Sequence, residues 1–408
     1  MKSRILFVDD EINVLKGLRR MLRGKRNEWT MAFAESGAKA LQLLEKTPAD
    51  VVVSDMRMPG MDGSQLLNEV RKRHPGAARL ILSGYASNAS VMRTIGPAHQ
   101  YLAKPCNSKT LITTIASTLE LRGLLELERP RHLVSSLKTL PTLPEVYADL
   151  QKELNSAKAS VKSVADIISR DLAMATQIMK LTNSAFFALP TKVTTAAQAV
   201  HLLGFETIKT MVLLAGFFSQ FQGTEDMKKV LERLSRNSLT LGELAKAIGE
   251  KENLGKPKID MAFCAASLSH VGTLLLLANW PDMFLKAVSL VETEGLSIVE
   301  AERRIFGTCH AELGAYLLGL WGFTDPIVEA VAFHHEPRRC PSKEFSVLTI
   351  LHAAQSITRG DRYTHDMENP PRHILDLEYL SETGVGDRMV AWEEIFHKFK
   401  GLKAKESP

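Results

Sequence analysis

Three carboxylates, a hydroxyl and an amine recur in the first quarter of the chain at spacings that suit phosphoryl chemistry. They are Asp9 and Asp10 in RILFVDD, Asp55 in VVVSDMRMPG, Ser83 in LILSGYAS and Lys104 in YLAKP. Carboxylates gathered in one place repel one another unless a cation joins them, and oxygen ligands favour a hard divalent ion, most simply Mg²⁺. With that charge neutralised, Asp55 can attack a phosphoryl donor, while the Lys104 ammonium and the Ser83 hydroxyl hold the transferred oxygens. The expected chemistry is covalent phosphorylation. Asp62, just beyond the Pro59-Gly60 turn, is better placed to cap the following helix than to bind metal.

For these groups to meet, they must stand at the carboxyl ends of strands in one sheet. Apolar runs at Arg4 to Val8, Trp29 to Ala34, Val51 to Ser54, Arg79 to Leu82 and Gln100 to Ala103 predict those strands. The unbroken VVV and RILFV fit strands buried on both faces. Helical patterns lie between them. In Glu11 to Arg23, for example, Val14, Leu15, Leu18, Met21 and Leu22 share a face and Gly24 is the expected stop. The alternation predicts an α/β doubly wound five-stranded parallel sheet over residues 1–122. A last helix, with Leu111, Ile115 and Leu119 at helical spacing, runs on through LRGLLELE as a helical linker at 123–131, closed by Pro130.

This first segment resembles a response-regulator receiver domain, which is flavodoxin-like. The motifs VDD, SDMRMPGMDG, LSGYAS and YLAKP carry the resemblance, in order. It implies that Asp55 is the phosphoacceptor, Asp9 and Asp10 the metal acids, and the backbone carbonyl of Arg57 a further Mg²⁺ ligand. Ser83 would be the switch hydroxyl, Lys104 the phosphate-binding lysine, Tyr101 the aromatic that moves inward on activation, and Lys104-Pro105 a cis peptide. Arg57 and Tyr85, each two residues beyond a reacting position, would tune the lifetime of the acyl phosphate. The implied partner is a sensor histidine kinase.

From about His132 strand signals nearly vanish, which predicts an all-α domain over 132–360. Pro144 suits a first helical position, with Val146, Leu150 and Leu154 following on one face. Ser297 and Glu300 form a capping box before a helix that Gly307 can close, and Thr324-Asp325-Pro326 starts another. Residues 361–408 are read as a C-terminal extension in which GLKAKESP is a disordered tail.

The stretches LKTLPTLPEVYADL, AVHLLGFETIKTMVL, SLSHVGTLLL and HAELGAYLLGLWGFTDPIVEAVAFHHEP resemble the HDOD family, HD-like output domains related to metal-dependent phosphohydrolases. Hydrolysis in those relatives needs histidines with bridging carboxylates around two metals. Here the His-Asp position reads His270-Val271, and valine cannot ligate. The upstream histidine position reads Asn237, the downstream aspartate position reads Gln355, and HHEP lacks Gly-Tyr-Pro. His270, His310, His334 and His335 remain. Four imidazoles would suit zinc better than iron or manganese, and they are read as core or capping histidines. No metal is therefore expected in the helical domain, and its output is expected through contact with downstream signalling proteins. LTNSAFFALP is read as a helix end, with Asn183 and Ser184 capping, rather than as a docking patch. The alternatives are a phosphorylation-regulated HD-type phosphohydrolase acting on a cyclic dinucleotide, and a phosphate sink without output.

Composition narrows the partners. At 408 residues the chain can hold two or three domains. Its 51 Lys+Arg against 46 Asp+Glu leave +5, dispersed along the chain. No helix-turn-helix with a basic recognition helix is evident, so DNA is not an expected partner. Cys106, Cys264, Cys309 and Cys340 form neither a disulfide framework nor a thiolate zinc motif, which suits a reducing cytoplasm. MKSRILFVDD lacks a signal-peptide core, and the apolar segments Met211 to Phe218 and Thr273 to Asn279 fall short of the ~20 residues that span a bilayer. Cytoplasmic location without a membrane partner is expected, with homodimerisation left open.

Overall fold

The computed structural model describes residues 2–83, 98–124, 133, 140–156, 159–183, 192–204, 208, 219–221, 224–358 and 375–406. Strands β1 (Ser3–Val8), β2 (Trp29–Ala34), β3 (Val51–Asp55), β4 (Ala78–Ser83) and β5 (Gln100–Ala103) form one parallel sheet in the order β2-β1-β3-β4-β5. Its register aligns Val8 with Ala34 and Ser54, Asp55 with Leu82, and Ser83 with Ala103. All the strands thus end along one edge.

Helices α1 (Ile12–Met21), α2 (Gly37–Lys46), α3 (Gly63–Arg73) and α4 (Ser108–Leu124) flank the sheet. Gly24 does not stop α1, as the sequence suggested. The helix ends at Met21 because buried Leu22 still bonds back to Leu18 and then leads into a short 3-10 turn, Arg23–Lys25, that contains Gly24. Asp62 caps α3 as expected: its carboxylate accepts from Gln65 N at 2.7 Å, and Gln65 Oε1 accepts from Asp62 N at 3.0 Å.

Among its described residues the second half is helical, with one two-residue parallel ladder between β6 (Pro141–Thr142) and β7 (Ser219–Gln220). Its described helices are α5 (Pro144–Leu154), α6 (Val161–Ser169), α7 (Leu172–Asn183), α8 (Ala196–Leu203), α9 (Glu225–Lys251), α10 (Lys256–Leu268), α11 (Val271–Asn279), α12 (Pro281–Glu294), α13 (Ile298–Phe306), α14 (His310–Leu320), α15 (Asp325–Phe333) and α16 (Val347–Thr358). Pro144 opens α5, and the Ser297–Glu300 box and Gly307 bracket α13 as expected. Asn183, the last residue of α7, bonds the backbone of Val193 through both amide atoms, at 2.6 and 2.7 Å. The rest of the LTNSAFFALP patch, Tyr85 and most of the 123–131 linker lie outside the described residues.

Two boundaries need correction. The chain from Leu377 to Phe396 belongs to the helical core, in α17 (Leu377–Glu382) and α18 (Met389–Glu406). Tyr379 and Trp392 are fully buried; the Tyr379 hydroxyl meets Thr349 Oγ1 at 2.9 Å, and Trp392 Nε1 donates to Glu252 at 2.9 Å. Residues 401–406 continue α18 as helix instead of forming a disordered tail. Lys256–Asn279 is one stretch long and apolar enough to cross a membrane, but 78% of its apolar window is buried and His270 divides it into α10 and α11.

The halves meet where α4 packs on α14. Gln100, at the start of β5, lies against Gly322, and the buried Lys180 ammonium sits 4.7 Å over the Trp321 ring. Beside them the Arg79 guanidinium donates to His99 Nε2 at 2.7 Å. Burial, then the charges of Arg79 and Lys180, keep that imidazole neutral, well below its usual range.

Candidate functional site

The carboxyl edge of the sheet brings together Asp9, Asp55 and Lys104. Asp9 follows β1 and Asp55 ends β3, and both carboxylates are buried. Lys104 follows β5 and reaches across: its ammonium donates to Asp9 Oδ2 at 2.6 Å and to Asp55 Oδ1. Backbone N–H groups fix the other oxygens, Glu11 N on Asp9 Oδ1 at 3.0 Å and Arg57 N on Asp55 Oδ2 at 2.6 Å. Asp10 is exposed beside them. Gly63 keeps the following loop close, since a Cβ there would lie 2.1 Å from the Asp55 carbonyl.

Burial raises the Asp55 pKa against the lowering pull of Lys104. Burial also opposes the Lys104 charge, but the two carboxylates outweigh it and hold its pKa above the usual lysine value. A surplus of carboxylate oxygen around one point fits a hard divalent cation, which Asp9, Asp10 and Asp55 would hold through their side chains. Ser83 stands at the end of β4, one strand from Lys104, and Tyr101 on β5 is buried at 3% exposure. The Lys104-Pro105 bond is cis.

A second cluster lies in the helical domain. His310 opens α14, and His334 and His335 follow α15. Their ligand nitrogens lie within 4.8 Å of one another. His310 Nε2 and His335 Nε2 are 2.9 Å apart. His270 stands apart from this trio. Its ring lies 6.2 Å from that of His310, centroid to centroid, and its Nε2 meets Gln355 Nε2 at 3.3 Å. Val271 is buried as the first residue of α11. Asn237 is half-buried on α9, and its neighbour Ser238 lies 3.4 Å from His270 Nδ1. His270 and Gln355 therefore pair beside the trio, and Val271 supplies no ligand atom.

Sequence reasoning missed Glu302. Fully buried on α13, it accepts from both the backbone N and Nδ1 of His310, at 2.8 and 2.7 Å. Its only signal was position, two residues after the capping-box glutamate and just before the Gly307 turn. Arg303 joins Glu312 and Glu336 over the same turn, which holds Glu336 down to about 2.

Comparison with known proteins agrees with this division. The family model described as response regulator receiver domain matches residues 5–116, and the HDOD domain model matches residues 140–337. An uncharacterized protein of Treponema pallidum is 24% identical over 60% of this chain and 47% of its own length. The hydrogenase transcriptional regulatory protein HoxA of Cupriavidus necator is 34% identical over 30% of this chain and 25% of its own. Sensor kinase CckA of Brucella abortus is 40% identical over 29% of this chain and 13% of its own. The chain thus spans less than half of each of these relatives. Among solved structures, the MmoQ response regulator of Methylococcus capsulatus is 20% identical with a TM-score of 0.45, covering 62% of this chain and 98% of that one.

Proposed function

Because this chain is a response regulator that joins a receiver domain to an HDOD domain, we propose that phosphoryl transfer from a histidine kinase to Asp55 controls a non-catalytic helical domain acting through contact with downstream signalling proteins. The observation that carries the first half is the Lys104 ammonium shared between buried Asp9 and Asp55.

An Asp55 carboxylate oxygen attacks the phosphorus, the bond from phosphorus to the donor nitrogen breaks, and the departing imidazole takes a proton. Mg²⁺, when bound by Asp9, Asp10 and Asp55, neutralises charge on the phosphoryl oxygens. Arg57 N holds one Asp55 oxygen so that the carboxylate keeps its orientation. Lys104 gives up its bond to Asp55 and turns to the incoming phosphoryl group, with the Ser83 hydroxyl as its partner from β4.

The second half rests on Val271 and Gln355. The first offers no ligand, and the second sets an amide rather than a carboxylate against His270. Incubation with a small phosphodonor and Mg²⁺ should add one phosphoryl group to the wild type by mass spectrometry and none to Asp55→Asn. Retention of the added mass in that variant would overturn the assignment of Asp55. Co-purification should then recover a partner that depends on Asp55. Hydrolysis of a cyclic dinucleotide by the purified protein would favour the phosphohydrolase reading instead.

A further inference from the structure

The parallel sheet is open at β2. This strand pairs with β1 on one side, and among the described residues no strand pairs with its other side. The Ala34 carbonyl accepts from Asp9 N at 3.1 Å, so Ala34 turns its backbone towards β1. Backbone groups alternate along a strand, which leaves those of Met31 and Phe33 facing outward. An unpaired edge of this kind accepts a further strand unless something guards it.

A groove of about 460 Å³ lies along this edge, between α1 and α2. Its floor is apolar: Leu15 and Ala34 are buried, Phe33 and Leu43 are half-buried, and Ile12 is 49% exposed. Four cations, Lys16, Arg19, Lys39 and Lys46, line it against one acid, Glu35. Lysines can serve merely to guard an edge. Here, however, Glu35 draws Lys39 aside at 2.7 Å and the Phe33 ring holds Arg19 at 4.7 Å, so the floor stays open. Among the described residues, Lys16 and Lys46 meet no carboxylate. We propose that the groove receives an extended acidic segment of a partner protein, which adds to β2 through main-chain hydrogen bonds and sets its carboxylates against Lys16 and Lys46.

Both walls carry a cation with an apolar neighbour, Lys16 with Ile12 on α1 and Lys46 with Leu43 on α2. Successive side chains of an added strand point to opposite walls. A segment with acidic and apolar residues in successive pairs therefore presents one of each to either wall. A nucleotide fits less well, because no glycine loop lines the groove to cradle its phosphates. The groove shares no residue with the Asp55 pocket or the helical domain, so the proposal goes beyond phosphorylation-controlled output and stands or falls separately from it.

Full-length protein titrated into a fluorescently labelled octapeptide of valine and glutamate in alternating pairs, followed by anisotropy, tests the proposal. The expected result is saturable binding that weakens as salt rises. Lys16→Glu combined with Lys46→Glu should weaken it roughly tenfold. That variant should still take up one phosphoryl group from a small phosphodonor with Mg²⁺, which shows a folded receiver. Methylating the backbone nitrogens along one edge of the peptide should abolish binding, because strand addition needs those donors. A peptide of the same composition with valine and glutamate strictly alternating should bind more weakly, since it offers all its charge to one wall. No saturable binding, equal binding of the methylated or strictly alternating peptide, or unchanged affinity in the folded double variant would each overturn the proposal. So would a wild type that sediments as a dimer and becomes monomeric in that variant, because the groove would then hold a second copy of this chain.

Discussion

Asp55 and Asp171 are both buried aspartates with raised pKa values, yet they serve different ends. Asp171 lies just before α7, where its oxygens accept from Met174 N at 2.7 Å and Leu143 N at 2.6 Å. It joins the start of α7 to the start of α5. Burial pushes it up to about 6, against the lowering effect of those N–H bonds. A raised acid favours the protonated folded state, so its stabilising contribution is full below the ordinary value of 3.8 and is lost as pH rises through about 6. In Asp171→Asn that dependence should vanish. The stability difference between wild type and variant, from urea unfolding, should therefore shift by roughly 3 kcal/mol between acid and neutral pH. Asp9, Asp55 and Lys104 were legible in the sequence because each follows an apolar run. Glu302 was not, because a glutamate beside Arg303 and Arg304 looks like part of a solvated helix face, and only the fold brings His310, beyond the Gly307 turn, back onto it.

Local signals held best for whole elements. The Ser297–Glu300 box lies within four residues, so its chemistry is complete in the sequence, and Ser297→Ala should cost about 1 kcal/mol in chemical denaturation. Gly272 is the opposite case. Nothing in SLSHVGTLLL announces that α11 and α14 approach so closely that a Cβ at Gly272 would lie 2.0 Å from the His310 carbonyl. Gly272→Ala should destabilise the helical domain by about 1–3 kcal/mol, with the loss read from the denaturation midpoint. The end of α1 was misread for a related reason. Gly24 is a strong stop in isolation, but buried Leu22 decides where the chain turns.

At the scale of the whole molecule, both domains were legible because each has its own repeating pattern. The C-terminal limit was not. LEYLSETGVGDRMVAWEEIFHKF looks too charged for a core, yet its aromatics close over α9 and α16. Ending the chain after residue 376 should uncover those faces and lower the unfolding temperature by several degrees, as followed by circular dichroism.

The contact between the domains has one further consequence. β4 and β5 begin at Ala78 and Gln100, next to Arg79 and His99 against the helical half, and finish at Ser83 and Ala103, the residue before Lys104. Four residues of strand span about 13 Å. Each strand is therefore a short lever whose two ends answer to different partners. The amide of His99, bonded to the Arg79 carbonyl at 2.7 Å, marks the far end. Its hydrogen-exchange rate in the phosphorylated protein, compared with the unmodified one, should change if strain travels along the sheet, and should stay constant if the signal leaves by another route.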